Sequence, residues 1–439
     1  MHRICVPLLC AALTSLSFAQ EAGRNEPATV PGAPPGMATS SAAAASATGA
    51  PPLSLAQAVE TALRLNPQLR AAGLELEAIQ GSVMQAGALP NPSVDFQQED
   101  TRPETRVTTF QLSQPIELGG KRAARIELAE RSRAVARADL DARLAEVRAA
   151  TVQAFFEALV AQERVALARE SLRVATNALD AASRRVIAGK VAPTEETRAG
   201  VAQATARIEL SQAEAERAAS LHVLTALMGV ADDAVTALDG RPDVLPQPPA
   251  NDVLADRLAR SPTLRRAQLE ARRLGAAYEL ERARRIPDVT VSLGARRAQE
   301  LGRTQAVIGL SIPLPIFSTN QGAQLEALRR RDAAEAQAQA EALRLRAEVL
   351  QAADQLRGRR REIEALQREV LPGAESAFEA AARGFELGKF GFLDVLDAQR
   401  TLLQARAQYL RALSEAHRAS ADLNRRLDTA DGAVTGANP

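Results

Sequence analysis

Residues that commonly do chemistry are sparse in this 439-residue chain. Its two cysteines are Cys5 and Cys10, and the only histidines after residue 2 are His222 and His417. The histidine spacing matches neither H-x-x-H nor H-E-x-x-H, so both side chains are expected on helical faces and not at a zinc site. Gly119-Gly120 opens a helix, but no G-x-x-x-x-G-K-[ST] phosphate loop is present. The sequence therefore predicts no catalytic residue, no cofactor, no metal site and no enzyme activity.

The amino terminus has the features of a cleaved secretory signal. Arg3 supplies a positive charge, an apolar run extends from Ile4 to Leu16, and Ser17-Phe18-Ala19 supplies small residues for a signal peptidase. We therefore expect residues 1–19 to be removed, which leaves no cysteine in the mature chain. Leu9 directly before Cys10 disfavours a lipoprotein signal, so lipidation of Cys10 is not expected.

Composition limits the partners of the mature chain. Arg3 is the one basic residue and no acid occurs within 1–19, so 53 of the 54 basic residues and all 53 acids remain. This balance argues against nucleic acid as a partner. Residues 20–52 are rich in Ala and Pro and lack a periodic apolar pattern, so they are interpreted as a disordered leader to which no role is assigned.

The most informative feature is an internal duplication, because four short motifs recur in one order at offsets of 195 to 200 residues. The pairs are Asn66-Pro67 with Ser261-Pro262, Pro92 with Pro287, Gln114-Pro115-Ile116 with Leu314-Pro315-Ile316, and Gly189-Lys190 with Gly388-Lys389. Two tandem structural repeats are predicted at 53–230 and 251–427. A linker at 231–250 and a carboxyl-terminal tail at 428–439 complete the predicted organisation.

Each repeat is predicted to have the same layout: a helical segment, a β-hairpin, a very long helix and a returning helix. The predicted bounds are 55–87, 92–115 and 121–188 in the first repeat, and 253–285, 287–313 and 323–387 in the second. The 68 residues from 121 to 188 contain no Gly or Pro, which predicts roughly 100 Å of continuous helix. Gly358 and Pro372-Gly373 interrupt its counterpart, so kinks are expected there.

Apolar residues of the first long helix recur at spacings close to three, four or seven, which indicates a coiled-coil-like seam. The seam residues are Leu140, Leu144, Val147, Phe155, Leu159, Leu172 and Leu179.

The hairpin segments show period-two alternation, which gives each strand one apolar and one polar face. The apolar positions include Val94, Phe96, Phe110, Leu112, Val289, Val291, Leu293, Ile308, Leu310 and Ile312. Strands of about ten residues can cross a bilayer, but four strands cannot close a barrel, so oligomerisation is expected. Three chains would give twelve strands and a water-filled lumen. The alternative is a soluble hairpin that caps a helical bundle, and an aromatic content of only 3% without Trp favours that alternative.

These features together resemble the TolC-like outer membrane efflux proteins from Leu53 to Leu427, and most of all their CzcC-like heavy-metal branch. The segments that carry the resemblance are Leu55-Ala56-Gln57-Ala58-Val59, Asn66-Pro67, Gln114-Pro115-Ile116-Glu117-Leu118-Gly119-Gly120-Lys121-Arg122, and Gly189-Lys190-Val191-Ala192-Pro193-Thr194-Glu195-Glu196-Thr197-Arg198-Ala199.

The resemblance implies a mainly α fold with a membrane β portion, in which a trimeric twelve-stranded β-barrel is continued by a periplasmic α-helical barrel. It implies the outer membrane of a Gram-negative bacterium and a passive exit duct for heavy-metal cations. Expected partners are two further copies of the chain, a periplasmic adaptor (membrane fusion) protein, an inner-membrane RND pump and outer-membrane lipid.

The resemblance also implies which residues meet those partners. The periplasmic tips are expected at the two Gly-Lys turns, and Gly119, Gly120, Lys121 and Arg122 are expected to form the strand-to-helix corner at the membrane boundary. Charges beside the turns could close the tip or dock the adaptor, although acids near a helix start also suit the helix dipole. The candidate tip residues are Gly189, Lys190, Glu195, Glu196, Gly388, Lys389, Phe392, Asp394 and Asp397.

Two alternative functions remain open on sequence. The same channel class could serve organic compounds or type I secretion, because a water-filled duct needs no selective site. A periplasmic adaptor or scaffold is the alternative from another class, although adaptors have one helical hairpin and this chain is predicted to have two.

Overall fold

The computed structural model describes residues 52–387 and 389–427, without the side chains of Asn251, Glu386 and Phe392. The predicted signal, the predicted leader up to residue 51, Gly388 of the predicted second tip and the predicted tail lie outside the described residues.

The described chain is mainly helical, and the order of its elements in the first half is repeated in the second. The elements are β1 (Leu53–Ser54), α1 (Leu55–Leu65), α2 (Pro67–Gly87), β2 (Ser93–Glu99), β3 (Val107–Ile116), α3 (Lys121–Ile187), α4 (Pro193–Met228), β4 (Leu238–Asp239), α5 (Asn251–Ala259), α6 (Pro262–Ala283), β5 (Val289–Ala298), β6 (Arg303–Ser311), α7 (Gln321–Ala365), a π-helical turn (Leu366–Val370), α8 (Leu371–Glu386) and α9 (Phe392–Leu427).

The helical segments predicted at 55–87 and 253–285 are each divided into two helices, which corrects the sequence interpretation. Pro67 and Pro262 are the cause, because a proline forces the preceding residue out of the α conformation. Asn66 accordingly has φ −60° and ψ 122°. Its Oδ1 accepts hydrogen bonds from the N–H groups of Gln68 (2.8 Å) and Leu69 (3.2 Å), so it caps the start of α2.

The first long helix is unbroken, as predicted: α3 runs for 67 residues, or roughly 100 Å. Its buried face is lined mainly by alanine, and only some of the predicted large residues contribute to it. Val147, Phe155 and Leu159 are buried, whereas Leu140, Leu144, Leu172 and Leu179 are half-buried. The small side chains let neighbouring helices approach closely, so the seam is narrower than a leucine-rich coiled coil.

The regular α-helical pattern of the second long helix is interrupted at one of the two predicted positions. No break occurs at Gly358, which lies inside α7. A helix tolerates one glycine at a cost of about 1 kcal/mol when its packing is retained. The π-helical turn at Leu366–Val370 directly precedes Pro372, the second residue of α8. Proline cannot donate a hydrogen bond and its ring crowds the carbonyl four residues earlier, so the wider turn accommodates it.

The four longer strands form one antiparallel sheet in the order β2-β3-β5-β6. Each predicted hairpin is present, and β3 and β5 join the two hairpins over ten residue pairs, from Val107 with Ala298 to Ile116 with Val289. β2 and β6 are therefore the outer strands of the sheet in a single chain.

Two hydrophobic clusters lie where the helices of each half meet the linker. One contains Phe155, Leu159 and Leu224, and the other contains Leu356 and Leu413. A parallel pairing of β1 with β4 ties the start of the first half to the linker.

The two histidines have different environments. His417 is buried, stacks on Phe156 with ring centroids 3.6 Å apart, and its Nε2 lies 2.8 Å from the carbonyl oxygen of Pro242. Burial lowers the pKa of His417, so the neutral imidazole acts as a packing group between α9, α3 and the linker. His222 is exposed, with Nδ1 3.8 Å from Oδ1 of Asp232.

Within the described residues, no helix combines the length and apolar character that a membrane span requires.

The two helix starts at Asn66 and Ser261 predict unequal effects of the same substitution. Asn66 caps α2 and its Nδ2 also donates to the carbonyl oxygen of Leu227 (2.8 Å), so Asn66→Ala should lower the free energy of unfolding by about 2–3 kcal/mol. Ser261 is buried, but its hydroxyl has no hydrogen-bond partner among the described residues, so Ser261→Ala should change stability by less than about 0.5 kcal/mol. Urea unfolding followed by circular dichroism measures both, and equal losses would contradict the assignment.

Candidate functional site

The sheet has one continuous apolar face. Cross-strand pairing places Val94, Leu112, Leu293 and Ile308 in one row. These four side chains are 47–79% exposed in the single chain. In the described part of the chain the sheet packs against no other layer, and an apolar surface of this kind is suited to contact with lipid. The predicted alternation is therefore present in three dimensions.

The opposite face of the sheet is polar. Ser93, Ser113, Ser292 and Gly309 form one of its rows. The hydroxyl of Ser113 donates to Oδ2 of Asp95 at 3.0 Å, and both residues lie on this face. A polar face can line water, so the two faces of the sheet suit two different solvents.

The outer strands carry unpaired backbone groups. Every residue of β2 is exposed, and seven of the nine residues of β6 are exposed. Within the described chain, β2 pairs only with β3 and β6 pairs only with β5. One edge of each outer strand is therefore free to pair with another chain.

The predicted strand-to-helix corner is built on two consecutive glycines. Gly119 has φ +72° and Gly120 has φ +73°, a left-handed conformation that only glycine adopts without strain. Gly119 also lies against Ile286, because a Cβ added to Gly119 would be 2.8 Å from the Ile286 Cβ. Nothing lies within 4 Å of a Cβ added to Gly120. The first glycine is thus required for both conformation and space, and the second for conformation alone.

Charged side chains hold this corner against the second half of the chain. Nζ of Lys121 and the N–H of Leu118 donate to Oδ1 of Asp288 at 2.8 and 3.1 Å. Burial opposes ionisation of Asp288, but these hydrogen bonds outweigh it and lower its pKa. Nε of Arg122 donates to the carbonyl oxygen of Gly87 at 2.8 Å. The corner therefore connects α2, α3 and the start of β5.

A second ion pair at the corner was missed by sequence reasoning. Arg125 forms a two-pronged contact with the carboxylate of Glu117, and the Nη2 to Oε2 distance is 2.9 Å. The hydrogen bond from Arg125 lowers the pKa of Glu117. Glu117 and Arg125 are eight residues apart across a strand end and a helix start, a spacing that matches no helical or strand periodicity. For the ion pair of Asp288, the sequence did offer a signal, because Pro287-Asp288 stands directly before a predicted strand.

The first predicted tip is a tight turn between α3 and α4. Gly189 has φ +65°, and the N–H of Lys190 donates to the carbonyl oxygen of Arg185 at 2.9 Å, as expected at a helix end closed by a left-handed glycine. Lys190 is exposed, and Glu195 and Glu196 are half-buried in the first turn of α4.

The second predicted tip lies beside the first. Lys389, Asp394 and Asp397 are exposed, and the N–H of Gly391 donates to Oδ2 of Asp394 at 2.9 Å. Gly388 and the side chain of Phe392 are outside the described part. Among the described side chains, no ion pair joins the predicted tip charges to one another.

An unpredicted contact links the two tips. The guanidinium carbon of Arg185 lies 3.8 Å from the ring centroid of Phe385, and Nη2 of Arg185 donates to the Phe385 carbonyl oxygen at 3.5 Å. Ala182 and Ala199 are buried beside them, with Leu396 packed against the cluster. The basic pair Arg184-Arg185 in the last turn of α3 is visible in the sequence, but nothing in it indicates a partner 200 residues away.

The corner geometry predicts a difference between two neighbouring glycines. Gly120→Ala should cost about 1–2 kcal/mol, because alanine is strained at positive φ. Gly119→Ala should cost about 1–3 kcal/mol more, because Ile286 must also move. Thermal unfolding of the detergent-solubilised protein measures both, and a Gly120→Ala loss equal to the Gly119→Ala loss would contradict the packing described here.

Comparison with known proteins agrees with this arrangement. The family model described as "Outer membrane efflux protein" matches residues 58–230 and 253–428. The cobalt-zinc-cadmium resistance protein CzcC of Cupriavidus metallidurans is 46% identical over 376 residues, which cover 86% of this chain and 90% of that protein. The nickel and cobalt resistance protein CnrC of the same organism is 32% identical over 300 residues, 66% of this chain and 70% of that protein.

Solved structures show the same fold. A membrane protein from Pseudomonas aeruginosa has a TM-score of 0.76 at 22% identity, and CusC has a TM-score of 0.74 at 18% identity; each comparison covers 85% of this chain and 92% of the other. Since the family model matches most of the chain in two stretches, and a relative with 46% identity spans nearly its whole folded length, the chain belongs to the outer membrane efflux protein family.

Proposed function

We propose that this outer-membrane efflux protein is the homotrimeric exit duct of a tripartite system, and that it passes heavy-metal cations. The observation that carries the proposal is the four-stranded sheet with an exposed apolar face and two free edges. Membership of the efflux family sets aside the alternative of a periplasmic adaptor or scaffold.

The free edges are the argument for assembly. In a bilayer each unpaired N–H or C=O group costs several kcal/mol, so β2 and β6 need strand partners. Three copies supply twelve strands, which enclose a water-filled lumen. Two copies supply only eight strands, and side chains would largely fill the interior of such a barrel. The apolar face would then contact lipid and the polar face would line the lumen.

The long helices are the argument for the periplasmic partners. α3 alone extends roughly 100 Å away from the corner, and the tips at Gly189-Lys190 and Lys389 lie at its far end. We propose that these tips meet a periplasmic adaptor, which connects the duct to an inner-membrane RND pump.

The cargo is proposed from the relatives. Two of them are named for resistance to cobalt, zinc and cadmium or to nickel and cobalt. In the described residues, no group of three or more His, Cys, Asp or Glu side chains could hold a metal ion. We therefore propose that cations pass through the duct without a binding site and that the pump and adaptor select them.

Deletion of the gene in a strain that keeps its pump and adaptor tests the proposal. Tolerance to Co²⁺, Zn²⁺ and Cd²⁺ should fall and their intracellular content should rise, because cations moved by the pump and adaptor then have no exit through the outer membrane. A plasmid copy of the chain should restore both. Unchanged metal tolerance with lost tolerance to organic toxicants would contradict the proposed cargo and favour the organic-compound channel.

Charge reversal tests the tip assignment. The double variant Glu195→Lys/Asp394→Lys should change single-channel conductance about twofold or more, because local charge sets the ion concentration at a pore mouth. Trimer yield should be unchanged. Glu209→Lys is a matched control, since Glu209 is an exposed acid of α4 about 20 Å along the helix from Glu195. Normal conductance in the double variant would remove the tip charges from the mechanism.

A further inference from the structure

The two hairpins of the sheet have the same pairing register. Asp95 pairs with Gln111, and the residues 195 and 200 positions later, Thr290 and Ser311, also pair. The same offsets convert Gln97 with Thr109 into Ser292 with Gly309. The offset for β2 to β5 is therefore 195, and the offset for β3 to β6 is 200.

The backbone at the corners follows the same rule. Gly120 (φ +73°) precedes α3, and Asn320 (φ +62°), 200 residues later, precedes α7 in the same left-handed conformation. The residue directly before the long helix is thus left-handed in both halves, whereas the residue before it is left-handed at Gly119 but not at Thr319.

The repeat offsets can therefore be applied to the β3–β5 pairing to predict how the outer strands of two copies would pair. Within the chain β3 pairs with β5, and Ile116 is opposite Val289. The offsets convert this pair into Ile316 opposite Val94. Val94 lies in β2 and Ile316 follows β6, and these are the opposite outer strands of the sheet. The two residues can therefore pair only between copies.

We propose that the free edge of residues 311–316 pairs antiparallel with β2 of the next copy, with Ile316 opposite Val94 of the partner subunit. The same register places Leu314 opposite Phe96 of the partner subunit. This inference rests on the proposed trimer and adds the register that closes it.

The solvent exposure of the residues that follow β6 supports the proposal. β3 continues from Ser113, its last partner position with β2, to Ile116, where β5 alone pairs with it. The equivalent residues after β6 have no strand partner in the described chain, and Leu314, Ile316 and Phe317 are 75%, 73% and 95% exposed. In the single chain this segment is not extended like the end of β3, because β6 ends at Ser311 and the N–H of Ile316 donates to the carbonyl oxygen of Leu314 at 2.9 Å. Pairing with the next copy therefore requires the segment to extend.

The side chains at the two joints differ in chemistry. The ion pair Glu117–Arg125 lies beside the joint within the chain and connects the end of β3 with α3. The positions 200 residues later are Phe317 and Leu325, both exposed apolar side chains. An apolar contact between copies needs no buried charge, and burial of Phe317 removes the largest exposed side chain near the free edge.

Disulfide trapping in the outer membrane of cells that express the full chain tests the register. Apart from Cys5 and Cys10 the chain has no cysteine, so introduced pairs can be followed on non-reducing gels. Opposed Cα atoms in antiparallel strands lie about 4.5–5.5 Å apart, within the range for a disulfide. Val94→Cys/Ile316→Cys should give a ladder of covalent dimer and trimer that collapses on reduction.

Two further pairs are matched controls. Ile116→Cys/Val289→Cys reproduces the same opposition within one chain and should form a disulfide without a ladder. Gln98→Cys/Ile316→Cys lies on the same face but about 13 Å out of register, so it should not cross-link.

The outcomes separate the register from the trimer. A native trimer that cross-links through Gln98→Cys/Ile316→Cys, or through neither pair, would overturn the register and leave the proposed assembly intact. Protein that remains monomeric in the membrane would overturn both.

Because a double variant could fail to assemble, Phe317→Cys provides a second test. It should react with a maleimide at least tenfold more slowly in the trimer than after dissociation, whereas the exposed loop variant Thr101→Cys should react equally in both states. Equal reactivity of Phe317→Cys in both states would also contradict the register.

Discussion

Unpaired backbone groups at a sheet edge cannot remain in contact with lipid, and the other features of this molecule are arranged around that constraint. A single chain contributes four strands whose apolar face is already complete, but β2 and β6 each keep a free edge. In the proposed trimer each additional copy would cover one free edge and expose another, until the ring closes. Helices that cross a membrane satisfy their own backbone groups, so this requirement for partners follows from the use of strands.

The strands and the long helices impose different geometries on one continuous chain, and the corner reconciles them. Two left-handed glycines turn the backbone from β3 into α3, while Lys121 and Arg125 hold the turn through Asp288 and Glu117. Burial is concentrated in alanine along α3, which keeps the helices close over a long distance without a wide core. The second half has the same order of elements, with one left-handed residue, Asn320, before its long helix and apolar side chains in place of the second ion pair. The duplicated halves therefore share a scaffold but have different joints.

Much of this could be predicted from the sequence, because the signals were local. Alternation placed both hairpins, the absence of Gly and Pro defined α3, and the Gly-Lys turns located the ends of the helical hairpins. The predictions failed where a tertiary or backbone effect decided the outcome. Asn66-Pro67 divides a helix whose apolar pattern is continuous, and Gly358 is tolerated because packing against α9 is retained. The Arg185–Phe385 contact joins residues 200 positions apart, and Glu117–Arg125 depends on a turn whose geometry no periodicity encodes.

The central claim is that both outer strands are paired in the membrane. Amide hydrogen exchange on the protein in native outer-membrane vesicles measures this directly, because exchange reports whether a backbone N–H is hydrogen-bonded. We expect the amides of β2 (Ser93–Glu99) and of Ser311, Ile312, Leu314 and Ile316 to exchange as slowly as those of β3. Residues 313 and 315 are prolines and have no amide hydrogen. Exchange at these two edges that is as fast as in the loop 100–106, with β3 and β5 protected, would show open edges and contradict the account.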